Sequence, residues 1–339
     1  MMREMSLKDR AKQSKNALIL FAAYQNWRMK RRFRSGNPSS SLGSTHSRKN
    51  LSQSLSYIDT QFNDYLFHLG IQPGELAGKR VLEVGFGDNI GVGLRFIAAG
   101  AAFVACIDKF YASRNREQER EIYEALRDTL DDASKARFDD AIELTGTLPL
   151  NSERIKCVYG VDVANAEQLG QEKPFDLVVS RAVLQQIYDP DETIEGMDRL
   201  LAPGGFMLHK IDLSDQGMFR DRGMHPLTFL TIPEWQYRLM AEGSGRSNRK
   251  LLNYYKQKLE ALGYEVKVLV TDIIGRSGKG DLAPVEFDAL DHLDEPIALL
   301  GGIRQQLAPE FRKLSDRELI IDGIFVVARK AHPQITQIC

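Results

Sequence analysis

The sequence predicts a doubly wound α/β domain, a mostly parallel sheet with helices on both faces. Three observations predict it. From Lys79 onward, short apolar runs alternate with stretches of helical periodicity, the pattern of buried parallel strands joined by crossover helices. The first run ends in a glycine turn, Val84-Gly85-Phe86-Gly87, at the carboxyl end of a strand, where open α/β sheets bind ligands. A later helical stretch stops at Pro203-Gly204-Gly205 before another apolar run, and Pro and Gly mark such turns for backbone reasons.

The elements follow in chain order. Residues 1–50 hold 12 Lys+Arg against 2 Asp+Glu, a net of +10, while the remaining residues hold 33 against 44, a net of −11. This asymmetry separates a basic arm from an acidic body. In the arm, Lys8, Lys12 and Lys15 fall on one side of a helix. The apolar run Ala17 to Tyr24 is followed by Trp27 and by Arg28, Lys30, Arg31, Arg32 and Arg34. Such a helix can lie in a membrane interface, dock on its own domain, or act as an Arg-rich organellar transit segment. A secretory signal fits poorly, because the main basic cluster follows the apolar run. No stretch reaches the ~18 apolar residues of a membrane span. Gly, Ser and Asn over 35–53 read as a linker, which closes a first unit at 1–53.

Leu55, Ile58, Phe62 and Leu66 then repeat at helical spacing and predict a helix over 54–69. Strands are predicted at 80–84, 103–107, 155–159, 177–180 and 206–211, with two later ones at 266–270 and 324–328. Between them, Leu94, Ile97 and Ala98, then Ile122, Leu126 and Leu130, then Ile194, Met197, Leu200 and Leu201 mark helices. The last of these starts after Asp189-Pro190. Leu251, Leu252, Tyr255, Leu259 and Leu262 mark the helix before strand 266–270. The body thus runs over 54–330, with loop-rich insertions at 216–250 and 271–322 and a tail at 331–339.

An apolar share of 43% and a charged share of 27% suit an ordinary soluble globular protein. Cys106, Cys157 and Cys339 are too far apart for a disulfide framework or a zinc site. A reducing, cytoplasmic setting follows, at the inner face of a membrane if the arm binds one.

Glu83 stands two residues before Gly85, and Asp108 ends the second strand. A carboxylate at the second position can accept hydrogen bonds from both hydroxyls of a ribose. That feature also fits a nicotinamide dinucleotide, as does a glycine loop on its own, so an NAD(P)-dependent oxidoreductase is an alternative. Glu83 argues against it, because dinucleotide folds usually carry an apolar residue there.

With Phe175-Asp176-Leu177-Val178-Val179-Ser180 as the fourth strand and Leu201-Ala202-Pro203-Gly204-Gly205 as the turn before the fifth, the chain resembles the class I S-adenosylmethionine-dependent methyltransferases. The resemblance covers about 75–215 well and continues more loosely to about 330. It implies a Rossmann-like, seven-stranded sheet with an antiparallel last strand, which 324–328 suits. It implies S-adenosyl-L-methionine as cofactor. Glu83, Gly85 and Gly87, with Asp88 and Asn89, would hold its methionine part. Asp108 would hold the ribose, with Lys109 beside it. Asp162 and Val163 would flank the adenine, and Ser180 would sit near the sulfonium. The usual third glycine of the loop is Asn89 here. Gln185 and Gln186 stand where many relatives carry an acid and a histidine, which leaves a non-catalytic binding module as a further alternative.

Methyl transfer is an in-line displacement that chiefly needs alignment; a hydroxyl acceptor also needs a base. His209, Asp212 and Asp215, at and after the fifth strand, are the candidate catalytic groups. His209-x-x-Asp212 supplies too few ligands to assert a metal. Arg181, His225, Asn248 and Arg249 are the candidate acceptor contacts, the last three from the aromatic-rich 216–250 insertion. The expected reaction is O-methylation of a small-molecule or glycan or lipid-linked acceptor. The partners expected are that acceptor and a membrane surface met through the basic arm. Nucleic acid is disfavoured by the acidic body.

Overall fold

A computed structural model of the chain describes residues 14–34, 39–40, 43–170, 173–243, 245–275 and 284–332. Lys8 and Lys12, and all of the tail beyond 332, lie outside the described residues.

The first helix of the described residues is the 20-residue α1 (Lys15–Arg34). Helix α2 (Leu51–Leu69) follows. Asn50 caps it: the Asn50 side chain accepts from the Gln53 amide while the Gln53 side chain accepts from the Asn50 amide. This reciprocal pair satisfies two amides that a helix start leaves open. The βα alternation then proceeds through β1 (Arg80–Val84), α3 (Gly91–Ala98), β2 (Phe103–Asp108), α4 (Arg116–Asp128) and α5 (Asp132–Ala141). It continues through β3 (Ile155–Tyr159), β4 (Phe175–Arg181), α6 (Asp191–Leu200) and β5 (Leu201–Asp212). The last part holds α7 (Glu234–Ala241), α8 (Leu252–Ala261), β6 (Tyr264–Ile273), β7 (Val285–Glu286) and β8 (Ile321–Lys330).

The strand order is β3-β2-β1-β4-β5-β8-β6-β7. The pairs β2–β3, β1–β2, β1–β4 and β4–β5 are parallel, and β8 runs antiparallel to both β5 and β6. The expected antiparallel last strand is therefore present. The sheet has eight strands where seven were expected, because the two-residue edge strand β7 adds itself to β6. The order reverses between β2 and β4, on either side of β1, which opens a crevice at the carboxyl ends of the strands.

Side-chain alternation sorts the core into two layers. Leu82, Val84, Ala105, Ile107, Val178, Met207 and Val326 face the layer of α6 and α8. Val81, Val104, Cys106, Leu177, Val179, Leu208 and Phe325 face the layer of α2, α3 and α4. Burial on both faces is why the strands read as continuous apolar runs.

Three expectations are corrected. The 35–53 stretch is more than a linker. Its backbone pairs Ser39–Ser40 in parallel with Tyr111–Ala112, and residues 43–48 fold over the glycine turn. Strand β5 begins at Leu201, so its irregular start includes the Pro-Gly-Gly turn, with a register shift against β4. The 271–322 stretch gives its ends to β6 and β8. Between them, Leu300, Ile303, Leu307, Phe311 and Leu319 enter the same core layer as Phe229, Leu230 and Tyr237 of the 216–250 insertion. The Ala308 amide donates to the Leu230 carbonyl at 2.9 Å, so the two insertions form one cap. Among the described residues, no helix is long and apolar enough to cross a membrane.

Candidate functional site

The site is built where β1 ends. Gly85 and Gly87 turn the chain with φ of +79° and +66°, a region that strains residues with a Cβ. A Cβ on Gly85 would run into the Val183 side chain, and one on Gly87 into the Gly43 carbonyl oxygen. The Gly85 amide donates to the Ile107 carbonyl at 2.8 Å, and the Gly87 amide donates to the Asp108 carboxylate at 3.0 Å. The second Asp108 oxygen accepts from the Phe110 amide at 2.8 Å. This carboxylate is thus held rigidly at the end of β2. Burial raises its pKa above the ordinary value, against the pull of the two amides.

The strap of residues 43–48 closes over this turn. The Asp88 carboxylate accepts from the His46 amide at 3.1–3.2 Å and from the Ser47 amide at 3.1 Å, while the Asp88 amide donates to the Gly43 carbonyl at 3.1 Å. The Gln118 side chain, on α4, donates to the His46 and Lys49 carbonyls. Asp88 therefore fastens the strap to the glycine turn. His46 is buried, its ring edge meets the Tyr57 ring at 5.6 Å, and burial lowers its pKa, more than the nearby Asp88 raises it. The imidazole is consequently neutral at neutral pH.

The crevice that results has about 1170 Å³ of space, part of it open to solvent. Its walls include Glu83, Gly85, Gly87, Asp88, Asn89, Asp108, Lys109, Asp162, Val163 and Arg181. Of the residues expected to meet the cofactor, only Ser180 stands outside: it is buried in β4, 2.8 Å from the His209 Nδ1. Lys109 and Asp162 pair with each other at 2.7 Å on the rim. Arg181 pairs with Asp64 at 2.6 Å and lies over the Tyr57 ring. Glu83 is buried; the Cys106 thiol lies 3.6 Å from its carboxylate, which also accepts a backbone hydrogen bond from Gly93. Burial pushes its carboxyl up to about 7.

The expected catalytic groups are not in this wall. His209 is 1% exposed inside β5, and burial holds its pKa down at about 3. A ring so hard to protonate and so enclosed is a core residue, its Nδ1 shared with Ser180. Asp212 closes the turn after β5 by accepting from the Ser214 amide and hydroxyl. Asp215 accepts from the Gly217, Phe219 and Arg220 amides and shapes the entry to the cap. Three expected acceptor contacts are likewise structural. The His225 ring accepts from the Leu227 amide and contacts the Leu299 carbonyl, joining the two insertions. The Asn248 amide group donates to the Leu184 and Ile187 carbonyls, and so holds the 184–187 turn behind the crevice. Arg249 is buried against the Tyr237 ring, donates to the Phe229 and Ile232 carbonyls and pairs with Glu234.

Sequence reasoning missed Gly43, Thr45 and His46 on the strap and Tyr57 and Gln61 on α2, all of which line the crevice. The signal that could have found them is Asn50-x-x-Gln53. A capping box there starts the helix at 51 and leaves the residues just before it tied to the domain.

The crevice fits S-adenosylmethionine on its own chemistry. A carboxylate fixed by backbone amides stands at the end of β2. The backbone of the turn is bare of side chains. In the wall, the Asn89 Nδ2 and the His46 Nδ1 are buried donors or acceptors without a partner among the described residues, the kind of group a polar ligand satisfies.

A family model described as a methyltransferase domain matches residues 63–267, more than half of the chain. No curated protein matches. Among solved structures, the chain is similar to the CurJ carbon methyltransferase, with 13% identity, a TM-score of 0.36 and coverage of 75% of this chain and 49% of that one. It is similar to phosphoethanolamine N-methyltransferase 2 of Haemonchus contortus, with 16% identity, a TM-score of 0.35 and coverage of 76% and 49%. It is also similar to the plantazolicin methyltransferase BpumL, with 14% identity, a TM-score of 0.37 and coverage of 91% and 100%. The chain spans about half the length of the first two. On the family match, this chain belongs to the class I S-adenosylmethionine-dependent methyltransferases.

Proposed function

We propose that this protein transfers a methyl group from S-adenosylmethionine to a hydroxyl of a small polar acceptor. The observation that carries the reading is the single crevice in which Glu83, the glycine turn and Asp108 share walls with His46, Tyr57 and Arg181. When bound, the cofactor supplies an activated methyl on a sulfonium. Asp108 would accept hydrogen bonds from the ribose hydroxyls, and the bare turn at Gly85 and Gly87 would let the amino-acid end approach the backbone. Ionised, the Glu83 carboxylate offsets positive charge on that ligand. Asp162 and Val163, on the crevice wall, would border the base.

On the acceptor side, the neutral His46 imidazole takes up the hydroxyl proton as the methyl is transferred. Arg181, held by Asp64, offers donors to a polar or anionic group of the acceptor. Gln186 can orient the acceptor but cannot carry a proton.

The test incubates the purified chain with methyl-labelled S-adenosylmethionine and a panel of small hydroxyl, amine and thiol compounds. Label appearing on a hydroxyl compound, lost in His46→Ala with cofactor affinity intact, is expected. Label on carbon, nitrogen or sulfur alone, or full hydroxyl activity in His46→Ala, would overturn the hydroxyl reading.

A further inference from the structure

We propose that α1 and α7 together form a docking face for an anionic lipid surface. The two helices pack on each other. The Asn26 side chain donates to the Leu239 carbonyl at 2.9 Å, Lys30 pairs with Glu242 at 2.6 Å, and Lys15 donates to the Thr231 hydroxyl. Leu18, Ala22 and Asn26 form the buried side of α1. Its opposite side is apolar and open: Leu20 is 72% exposed and Trp27 55%, with Phe21 and Tyr24 between them. These positions recur at helical spacing and share one face. On α7, Leu239 and Trp235, one turn apart, are also open, Trp235 at 65%.

Charge decides the occupant. Arg28 lies 5.8 Å from the Tyr24 ring centroid, and Arg31 lies 5.7 Å from that of Trp27. Arg34 is exposed at the end of the same helix. Residues 1–50 carry a net of +10 on an otherwise acidic chain. A second copy of the chain docked through a two-fold axis would bring these guanidinium groups together, at a cost. Nucleic acid would match the cations and leave Leu20 and Phe21 in water. A lipid interface takes both: aromatic and aliphatic groups enter the headgroup boundary while the cations meet anionic headgroups. The helix lies on such a surface and does not cross it. Phe33, near the end of α1, stacks on Phe110 of the crevice wall at 5.3 Å, so docking would set the crevice close to the lipid.

The sequence has two tryptophans, Trp27 exposed on α1 and Trp235 exposed on α7, so intrinsic fluorescence reports contact made by these two helices. The experiment mixes the full chain with vesicles of phosphatidylcholine alone, or of phosphatidylcholine with phosphatidylglycerol, and reads sedimentation, tryptophan emission and quenching by iodide. Expected are sedimentation with the anionic vesicles, a shift of emission to shorter wavelength and protection from iodide. Arg28→Glu with Arg31→Glu should weaken vesicle binding by about tenfold or more, given ~1 kcal/mol for each basic group near the surface. Leu20→Ser with Phe21→Ser should weaken it comparably at unchanged melting temperature and unchanged activity on a soluble acceptor. Four results would overturn the proposal: no sedimentation, sedimentation without an emission change, tryptophans already shielded in a dimer without lipid, or an equal emission shift with duplex DNA.

Discussion

Replacing Glu83 by glutamine should make the unliganded protein more stable at pH 8. Glu83 is 6% exposed at the end of β1, and burial raises its carboxyl from 4.5 to about 7. The sign follows from where the proton sits. Between these two values the folded protein holds a proton that the unfolded chain has released, so stability is full below about 4.5 and falls as pH rises toward 7. Above that, the ionised carboxylate costs the fold about 3 kcal/mol, at ~1.36 kcal/mol per pH unit of displacement. Glutamine keeps the shape and an acceptor for the Cys106 thiol, and has no charge to bury. Thermal unfolding of the two proteins from pH 4.5 to 8 reads the effect. Glu83→Gln should melt several degrees higher at pH 8, with the gap closing toward pH 4.5. S-adenosylmethionine should narrow the gap at pH 8, because a bound cation offsets the carboxylate. A variant no more stable than the parent at pH 8 would show that the Cys106 and Gly93 hydrogen bonds compensate the buried charge, and the argument from it would fail.

Three further outcomes follow from the same geometry. Asp108→Asn should weaken S-adenosylhomocysteine by about a hundredfold, since each hydrogen bond to a charged group contributes ~1.5–3 kcal/mol; calorimetric titration beside an unchanged circular dichroism spectrum reads this, and intact affinity would remove Asp108 from the ribose. Asp88→Ala leaves the His46 and Ser47 amides without their acceptor, a loss of roughly 1–3 kcal/mol to the strap; trypsin should cut at Arg48 and Lys49 several times faster and the bound product should dissociate faster, and unchanged rates would mean the strap is held otherwise. His209→Gln should keep kcat within about threefold, whereas a general base contributes 10²–10⁴-fold; a hundredfold loss would restore His209 to the chemistry.

The fold was legible because its strands are buried on both sides. The runs at 80–84 and 155–159 read as strands from composition alone, and these are the strands observed. The cofactor side was legible for a related reason. A glycine turn flanked by carboxylates at two strand ends is local in sequence, so Glu83, Gly85, Gly87 and Asp108 could be named by position, and they stand in one crevice. The acceptor side was not legible, because it is assembled from distant pieces. His46 arrives from a stretch whose Gly and Ser content hid its role, and its seat depends on Asp88, 42 residues away. The 216–250 insertion misled in the other direction. Its polar side chains look like ligand contacts in a list of residues, yet Asn248 and Arg249 spend their donors on carbonyls of neighbouring turns. Burial satisfied by backbone partners leaves no trace in composition. His209 shows the same ambiguity inside a strand: only its enclosure separates a core imidazole from a base.

The most direct test is a crystal structure of the chain grown with S-adenosylhomocysteine. The account predicts the ribose hydroxyls on the Asp108 carboxylate, the amino-acid end over Gly85 and Gly87, and the sulfur facing the side of the crevice lined by Tyr57 and His46. A crevice that rejects this ligand and accepts a nicotinamide dinucleotide with its pyrophosphate on the glycine turn would contradict it.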